Sequence, residues 1–86
     1  MKTLNKETEK ILTTQLNIGG MYQHYSGKKY KVMGIFRHSE DLVLYVAYVG
    51  QYEDAQYGTN WIRPLDMFLE EVEIQGKQQP RFKYLP

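Results

Sequence analysis

The sequence predicts a mainly β fold, a small sandwich or barrel of short strands that follows an N-terminal helical arm. Three observations support this fold. From residue 19 onward, glycine and proline separate short stretches in which apolar and polar residues alternate. The 86 residues suffice for one domain, and without any cysteine this domain has no disulfide to stabilise it. The core must therefore come from aliphatic and aromatic residues, and the eight tyrosines suit half-buried positions on a small barrel.

The N-terminal arm is predicted to be helical. Asn5 is placed to cap a helix over about Lys6–Leu16, along which isoleucine and leucine form a narrow apolar stripe. Gly19-Gly20 ends this segment. We therefore assign residues 1–18 to the arm and residues 19–86 to the β domain. The arm either docks on that domain or becomes ordered only on a partner.

The first two strands form a predicted hairpin. Met21–Tyr25 and Tyr30–Arg37 have the composition of strands, and the turn between them contains Gly27, which can adopt a positive φ. The alternation of the second strand shifts at Gly34, which favours a bulge or a sharp bend there. Such a bend would let a small sheet curl toward a barrel.

The third predicted strand, Leu42–Val49, is apolar at both alternating sets of positions. We expect such a strand to be covered on both sides, with the N-terminal helix or the following loop, Gly50–Asn60, supplying the second cover. Trp61–Arg63 continues as extended chain, because Pro64 disfavours the α region for the residue before it. Pro64 then suits the first position of a short helical turn, Leu65–Phe68.

Two further strands complete the predicted fold. Glu70–Gln75 alternates with a period of two, so Val72 and Ile74 should face inward. Gly76 then turns the chain. Pro80–Tyr84 is the predicted last strand, at a sheet edge, where a proline at the start removes no hydrogen bond from the ladder.

Several short motifs of aromatic, basic and glycine residues occur together between residues 20 and 82. They are Gly20-x-Tyr22-x-His24-Tyr25-x-Gly27, Tyr30-x-Val32-x-Gly34, Arg37-His38-Ser39-Glu40, Trp61-x-Arg63-Pro64, Met67-Phe68 and Pro80-Arg81-Phe82. In this combination the chain resembles the bacterial domain-of-unknown-function family 1653. The resemblance implies an SH3-like barrel of five or six strands and no established activity. The arm has no counterpart in the family pattern, and Phe36 stands where that pattern has a small residue, which would narrow a cleft beside Arg37.

Composition and motif content argue against several classes of function. Residues 1–17 carry charges and no central apolar run, unlike a signal peptide, and the longest apolar run, Leu42–Val49, is too short to cross a bilayer. We therefore expect a cytoplasmic protein with no membrane partner. Two histidines without ligand-like spacing, and no cysteine, predict no metal site and no cofactor. The chain has no nucleophile elbow, phosphate-binding glycine loop or zinc-protease motif, so enzymatic activity is not favoured.

The net charge of +1 is unevenly distributed along the chain. Tyr22–His38 contains four basic residues and no acid, whereas Glu40–Glu73 contains eight acids and a single base, Arg63. Two interpretations follow. Either the two segments complement each other across neighbouring strands, or the basic segment forms a face that binds phosphate or another anion.

The candidate ligand site consists of aromatic, charged and titratable side chains from these motifs. Its members are His24, Tyr25, Arg37, His38, Glu40, Tyr45, Tyr48, Trp61 and Arg63. We expect Arg37 and Arg63 to point into one hollow and to hold an anionic or carbonyl group there. The rings would stack on a planar moiety, and the histidines would add hydrogen bonds that depend on pH. The module would then bind a small molecule without catalysis.

Other interpretations stay open at this point. Both arginines would be structural if nearby carboxylates, such as Glu40 and Glu70, paired with them. Single-stranded nucleic acid would bind through the tyrosines and the lysines of residues 28–31, although the acids after residue 40 oppose it. A protein partner would bind the N-terminal arm or the third strand. An enzyme in which the carboxylate of Glu40 orients His38 as a general base is the least favoured reading.

Overall fold

Seven strands and two helices make up residues 4–86, the part of the chain that the structure, a computed structural model, describes. The elements are α1 (Lys6–Gln15), β1 (Met21–His24), β2 (Lys29–Arg37), β3 (Leu44–Gly50), β4 (Asn60–Pro64), α2 (Leu65–Leu69), β5 (Glu71–Ile74), β6 (Lys77–Pro80) and β7 (Phe82–Leu85). The mainly β class predicted from the sequence is confirmed. Residues 1–3 of the predicted arm lie outside the described residues. Within residues 4–86, neither helix has the length and apolar character needed to span a bilayer.

Helix α1 begins where the sequence predicts. The Asn5 side chain accepts a hydrogen bond from the backbone N–H of Thr8 at 2.8 Å, which satisfies one free donor of the first turn. The helix ends at Gln15. The next residue, Leu16, is buried in the core, and Leu12 packs against the same core. Helix α1 therefore docks on its own chain.

Five strands form an antiparallel sheet in the order β4-β3-β2-β1-β7. The predicted irregularity of β2 is confirmed, because its register against β3 shifts between Val32 and Gly34 and leaves Met33 as the extra residue of a bulge. The sheet is open, since its edge strands β4 and β7 are not hydrogen-bonded to each other. This corrects the prediction of a closed barrel. Phe68 of α2 instead stacks on Phe82 of β7, so side-chain packing joins this region without strand pairing.

A separate two-stranded sheet of β5 and β6 corrects the predicted count of five or six strands. Gln75 and Gly76 link these strands in a two-residue turn, and both have positive φ, 53° and 79°. The predicted last strand, Pro80–Tyr84, is divided at Arg81 between β6 and β7. Gly76 signals a turn in the sequence, but glutamine rarely adopts the left-handed conformation, so the sequence does not predict this hairpin.

The core lies between α2 and one face of the five-stranded sheet, which we call the inner face. Its most completely buried side chains are Val32, Val46, Leu65 and Phe68. The ring of Tyr48 packs edge-on against Phe68, with 5.2 Å between ring centres. This packing fixes the positions of β2, β3 and β4 relative to α2, and with them the side chains of the site described below.

The opposite face of this sheet, which we call the outer face, lacks the cover that the apolar sequence of β3 predicts. β3 begins at Leu44, and Leu42 lies in the preceding turn with a φ of 60°. Val46 and Tyr48 are buried on the inner face, whereas the alternate positions, beginning with Tyr45, are only partly buried. Helix α1 packs near α2 on the core side. The outer face is therefore open to solvent.

Candidate functional site

A cleft of about 270 Å³ lies beside the β1–β2 turn, on the inner face of the five-stranded sheet. Its lining comes from five strands and this turn, and consists of His24, Ser26, Lys28, Tyr30, Tyr48, Trp61, Arg63 and Phe82. We call it the Arg63 cleft. The lining combines two cations, one imidazole and four aromatic rings, and it contains no acid.

Strand alternation brings the central side chains of the cleft together. In the register between β3 and β4, Tyr48 lies opposite Trp61 and Val46 lies opposite Arg63. Because Val46 and Tyr48 face the core, their partners Trp61 and Arg63 lie on the same face of the sheet. The prediction that Trp61 and Arg63 project to one side is confirmed.

Arg63 has no carboxylate partner among residues 4–86. Its Nε donates a hydrogen bond to the Tyr48 hydroxyl at 3.2 Å, and its guanidinium carbon lies 5.6 Å from the centre of the Phe82 ring. The alternative pairing with Glu70 is not observed, because Glu70 forms an ion pair with Arg81. Within the described chain, the terminal nitrogens of Arg63 are thus available to an anion in the cleft.

His24 is held as a neutral imidazole at the edge of the Arg63 cleft. Its Nδ1 accepts a hydrogen bond from the backbone N–H of Ser26 at 3.1 Å and lies 2.9 Å from the Ser26 hydroxyl. Burial is the largest cause that lowers the pKa of His24, and the positive charges of Arg63 and Arg81 lower it further. The proton of the neutral ring is then on Nε2, which makes that nitrogen a hydrogen-bond donor.

A hydrogen-bonded set of three aromatic side chains supports one wall of the cleft. Trp61 Nε1 donates to the Tyr52 hydroxyl at 3.0 Å, and the Tyr52 hydroxyl lies 3.3 Å from that of Tyr30. Burial, followed by the contact with Tyr52, raises the pKa of Tyr30, so this hydroxyl keeps its proton at neutral pH. Lys28 Nζ lies 4.7 Å from the centre of the Tyr52 ring. These hydrogen bonds join the three side chains, and a cation lies beside them.

Four lining residues of the Arg63 cleft are missing from the nine predicted site residues: Ser26, Lys28, Tyr30 and Phe82. The pairing of β1 with β7 explains why Phe82 is part of the cleft, because Phe82 of β7 lies opposite His24 of β1. Pairing between the first and the last strand is a long-range contact, which local sequence patterns do not reveal. Ser26 and Lys28 join the site because the β1–β2 turn returns the chain to the same end of the sheet.

Arg37 lies elsewhere and makes contacts within the fold. Its Nη1 and Nη2 donate to the two carboxylate oxygens of Glu9 at 3.1 and 3.3 Å, and Nη1 also donates to the Leu42 carbonyl at 2.9 Å. The hydrogen bond to the Glu9 carboxylate raises the pKa of Arg37. The expectation that Arg37 and Arg63 meet in one hollow is therefore wrong. Arg37 joins α1 to the β2–β3 turn and is not part of the Arg63 cleft.

The residues around His38 form a turn instead of the predicted pair of His38 with the Glu40 carboxylate. His38 Nδ1 accepts hydrogen bonds from the backbone N–H groups of Glu40 at 3.1 Å and Asp41 at 3.3 Å. The Asp41 carboxylate accepts the Val43 backbone N–H at 2.9 Å and the Tyr45 hydroxyl at 3.0 Å. The bond from Val43 is the largest cause that lowers the pKa of Asp41. Glu40 thus contributes to this turn through its backbone.

The nine predicted residues divide among three hollows and a turn. The Arg63 cleft is lined by His24, Tyr48, Trp61 and Arg63. A second hollow, of about 210 Å³, is lined by Phe36, Arg37, His38, Tyr45 and Ile62. Tyr25 stacks near His24, with ring centres 4.2 Å apart, and lines a third hollow of about 260 Å³. Residues 4–86 contain no group of three or more side chains placed to hold a metal ion.

Comparison with known proteins adds a family and a related structure. A family model described as "Protein of unknown function (DUF1653)" matches residues 20–84. The crystal structure of a DUF1653 protein from Bordetella bronchiseptica is similar in fold, with a TM-score of 0.74 and 32% sequence identity. The match covers 83% of this chain and 90% of that chain. No curated protein matches this chain.

Proposed function

This chain belongs to the DUF1653 family, whose members are described as proteins of unknown function, and we propose that it is a non-catalytic module that binds a small planar anion in the Arg63 cleft. Tyr30 and Trp61 would contact the planar part of this ligand, and Arg63 would contact its anionic group. The hollow beside Arg37 is not required for this function.

The different environments of the three arginines carry the proposal. Arg37 is paired with Glu9, and Arg81 is paired with Glu70. Arg63 alone among them has no carboxylate partner within residues 4–86, although it lies against an aromatic surface. A partly desolvated guanidinium without an acid is costly unless another anion binds to it. An anionic ligand would supply that missing partner.

The composition of the cleft indicates the chemical class of this ligand. A guanidinium recognises carboxylate and phosphate groups through two parallel hydrogen bonds, and Lys28 would add a second positive charge. The walls of Tyr30 and Trp61 suit stacking on a planar group. The volume of about 270 Å³ lies just below the usual range for ligand pockets, so the ligand is small. Aromatic carboxylates and nucleoside monophosphates fit this description.

The contact between Ser26 and His24 does not make the cleft catalytic in this proposal. The Ser26 hydroxyl lies 2.9 Å from His24 Nδ1, which resembles the distance in a nucleophile–base pair. However, the same nitrogen also accepts the Ser26 backbone N–H, so the contact belongs to a local turn. No described carboxylate is hydrogen-bonded to the other imidazole nitrogen to orient it. Binding without turnover is the function that this arrangement favours.

A thermal-shift assay tests the proposal. The probes are inorganic phosphate, adenosine 5′-monophosphate and benzoate, with adenosine and benzyl alcohol as uncharged counterparts. A planar anion at about ten times its Kd should raise the Tm by about 5 °C or more, and its uncharged counterpart should not. Arg63→Gln should lose this shift, whereas Arg37→Gln, which removes an arginine outside the cleft, should keep it. Stabilisation that survives in Arg63→Gln, or none with any probe, contradicts the proposal.

A further inference from the structure

We propose that the outer face of the five-stranded sheet binds single-stranded nucleic acid. This surface lies on the opposite side of the sheet from the Arg63 cleft, and the lysines and the exposed apolar side chains that support the proposal are not part of that cleft. The proposal therefore stands or fails independently of the small-molecule site.

The charge of the five-stranded sheet is the first observation. Its strands contain five basic residues and no acidic residue: Lys29, Lys31, Arg37, Arg63 and Lys83. All ten acids of the chain lie in the helices, in turns and loops, or in β5. The acids after residue 40, which argue against nucleic-acid binding when only the sequence is considered, are thus absent from the strands of this sheet. Arg37 is paired with Glu9 and Arg63 lines the cleft on the inner face, so the positive charge of the outer face comes from the three lysines.

Three of these bases form a group on the outer face. Gln23 of β1 lies opposite both Lys29 of β2 and Lys83 of β7, so the two lysines flank it at a separation of about 10 Å. Lys31 is the next outward position on β2, about 7 Å along the strand. All three lysines are exposed. One extended phosphate backbone can therefore contact more than one of them.

Exposed apolar side chains occupy the other half of the outer face. Met33 and Phe36 of β2 and Ile62 of β4 are 52%, 60% and 62% exposed. Phe36 lies opposite Tyr45, and its ring approaches Gly34 so closely that a Cβ there would lie 3.0 Å from it. A ring supported in this way on an open sheet is a platform on which a base can stack.

Two hollows in this half favour discrete planar groups over a lipid surface. One, of about 390 Å³, lies between Met33 and Ile62. The other, of about 210 Å³, is lined by the rings of Phe36, His38 and Tyr45 and by Arg37. The Tyr45 hydroxyl is bonded to Asp41, which fixes the ring in the wall. Aromatic rings suit an unstacked base, whereas acyl chains do not need them, and the bases of a duplex are not free to stack.

Fluorescence anisotropy with labelled oligothymidylate and oligouridylate, each about fifteen nucleotides long, tests the inference on the full chain. We expect binding that weakens with salt, with a slope of log K against log salt of about −2 for three lysine–phosphate contacts. The slope should become less negative in each of three variants, Lys29→Gln, Lys31→Gln and Lys83→Gln, because each loses one phosphate contact. The control Lys77→Gln removes an exposed lysine of β6 and should leave the slope unchanged.

The aromatic contribution has its own pair of variants. Phe36→Ala should weaken binding at least fivefold, because stacking of a single base is lost. Tyr57→Ala removes a ring that is 71% exposed in the β3–β4 loop and should leave the affinity unchanged. Unchanged circular dichroism and Tm establish that both variants fold.

Three outcomes overturn the inference. The first is the absence of oligonucleotide binding at low salt. The second is an equal loss of affinity in the outer-face variants and in their controls. The third is Phe36-dependent binding to vesicles of phosphatidylcholine and phosphatidylserine without any binding of oligonucleotides, which would make the outer face a membrane surface.

Discussion

Phe82 stacks on Phe68 with ring centres 4.1 Å apart and ring planes 8° from parallel. The same Phe82 ring lies 5.0 Å from the His24 imidazole and 5.6 Å from the guanidinium carbon of Arg63. One side chain of the last strand thus belongs both to the core and to the lining of the Arg63 cleft. The shape of the site and the stability of the fold therefore depend on one ring.

Truncation of this ring should be strongly destabilising. Phe82→Ala is expected to lower the free energy of unfolding by about 3–5 kcal/mol, because it removes buried area and leaves a cavity beside Phe68. Urea unfolding monitored by circular dichroism measures the change. Phe36→Ala, at an exposed position, should change it by about 0.5 kcal/mol or less. A loss of under 1 kcal/mol in Phe82→Ala would show that this ring does not organise the core.

Gly50 leaves space for the ring of Tyr52. A Cβ at position 50 would overlap this ring, so Gly50→Ala must displace the ring and disturb its hydrogen bond with Trp61. We expect a loss of about 1–3 kcal/mol in the free energy of unfolding and a change in tryptophan fluorescence. Tyr52→Phe, which removes only the hydroxyl, should cost about 0.5–1.5 kcal/mol. Gly50→Ala with unchanged stability and fluorescence would contradict the close contact.

Leu42 keeps a left-handed backbone, with a φ of 60°, although its side chain is 56% exposed. A residue with a Cβ in this conformation is strained, and asparagine adopts it more readily than leucine. Leu42→Asn should therefore raise the free energy of unfolding by about 0.5–1 kcal/mol. Ile18→Asn, at an exposed position without a positive φ, should give no such gain. A loss of stability in Leu42→Asn would contradict this prediction, because the contacts of the leucine side chain would then stabilise the fold by more than the backbone strain destabilises it.

His24 should make the stability of the fold depend on pH. Folding lowers the pKa of His24 below its ordinary value of 6.5, so the unfolded chain takes up the proton first as the pH falls. The contribution of His24 to stability is thus complete above pH 6.5 and decreases as the pH falls from there through the folded-state pKa. Asp41 and Asp54, whose pKa values are lowered from 3.8, titrate outside this window.

Urea unfolding of the wild type and His24→Gln at about pH 7.5 and about pH 5 measures this effect. The free energy of unfolding of the wild type should decrease more between these two conditions than that of the variant. Equal decreases in the two proteins would contradict the assignment of a lowered pKa to His24.

Local patterns in the sequence predict much of the fold, because the features concerned depend on neighbouring residues. Asn5 caps α1, Gly34 marks the bulge of β2, and Pro64 precedes the short helix α2. The β5–β6 hairpin is different, since Gln75 adopts a left-handed conformation that its residue type does not suggest. The open edges of the sheet also depend on tertiary packing.

The candidate site is predictable only in part, for a related reason. The alternation of β4 places Trp61 and Arg63 on one face, and this follows from their spacing. The partner of Arg37 does not follow from spacing, since Glu9 lies 28 residues away in the arm. The separation of the two arginines therefore becomes visible only in three dimensions.

The side-chain NMR signals of the arginines test the central claim most directly, because the chain contains only three, Arg37, Arg63 and Arg81. The measurement follows the three Nε–H resonances while benzoate or adenosine 5′-monophosphate is added. We predict that the Arg63 resonance moves in a saturable way. The resonances of Arg37 and Arg81, whose Nη atoms are already paired with Glu9 and Glu70, should not move. Movement of the Arg37 resonance alone, or of none of the three, would contradict a planar-anion site at Arg63.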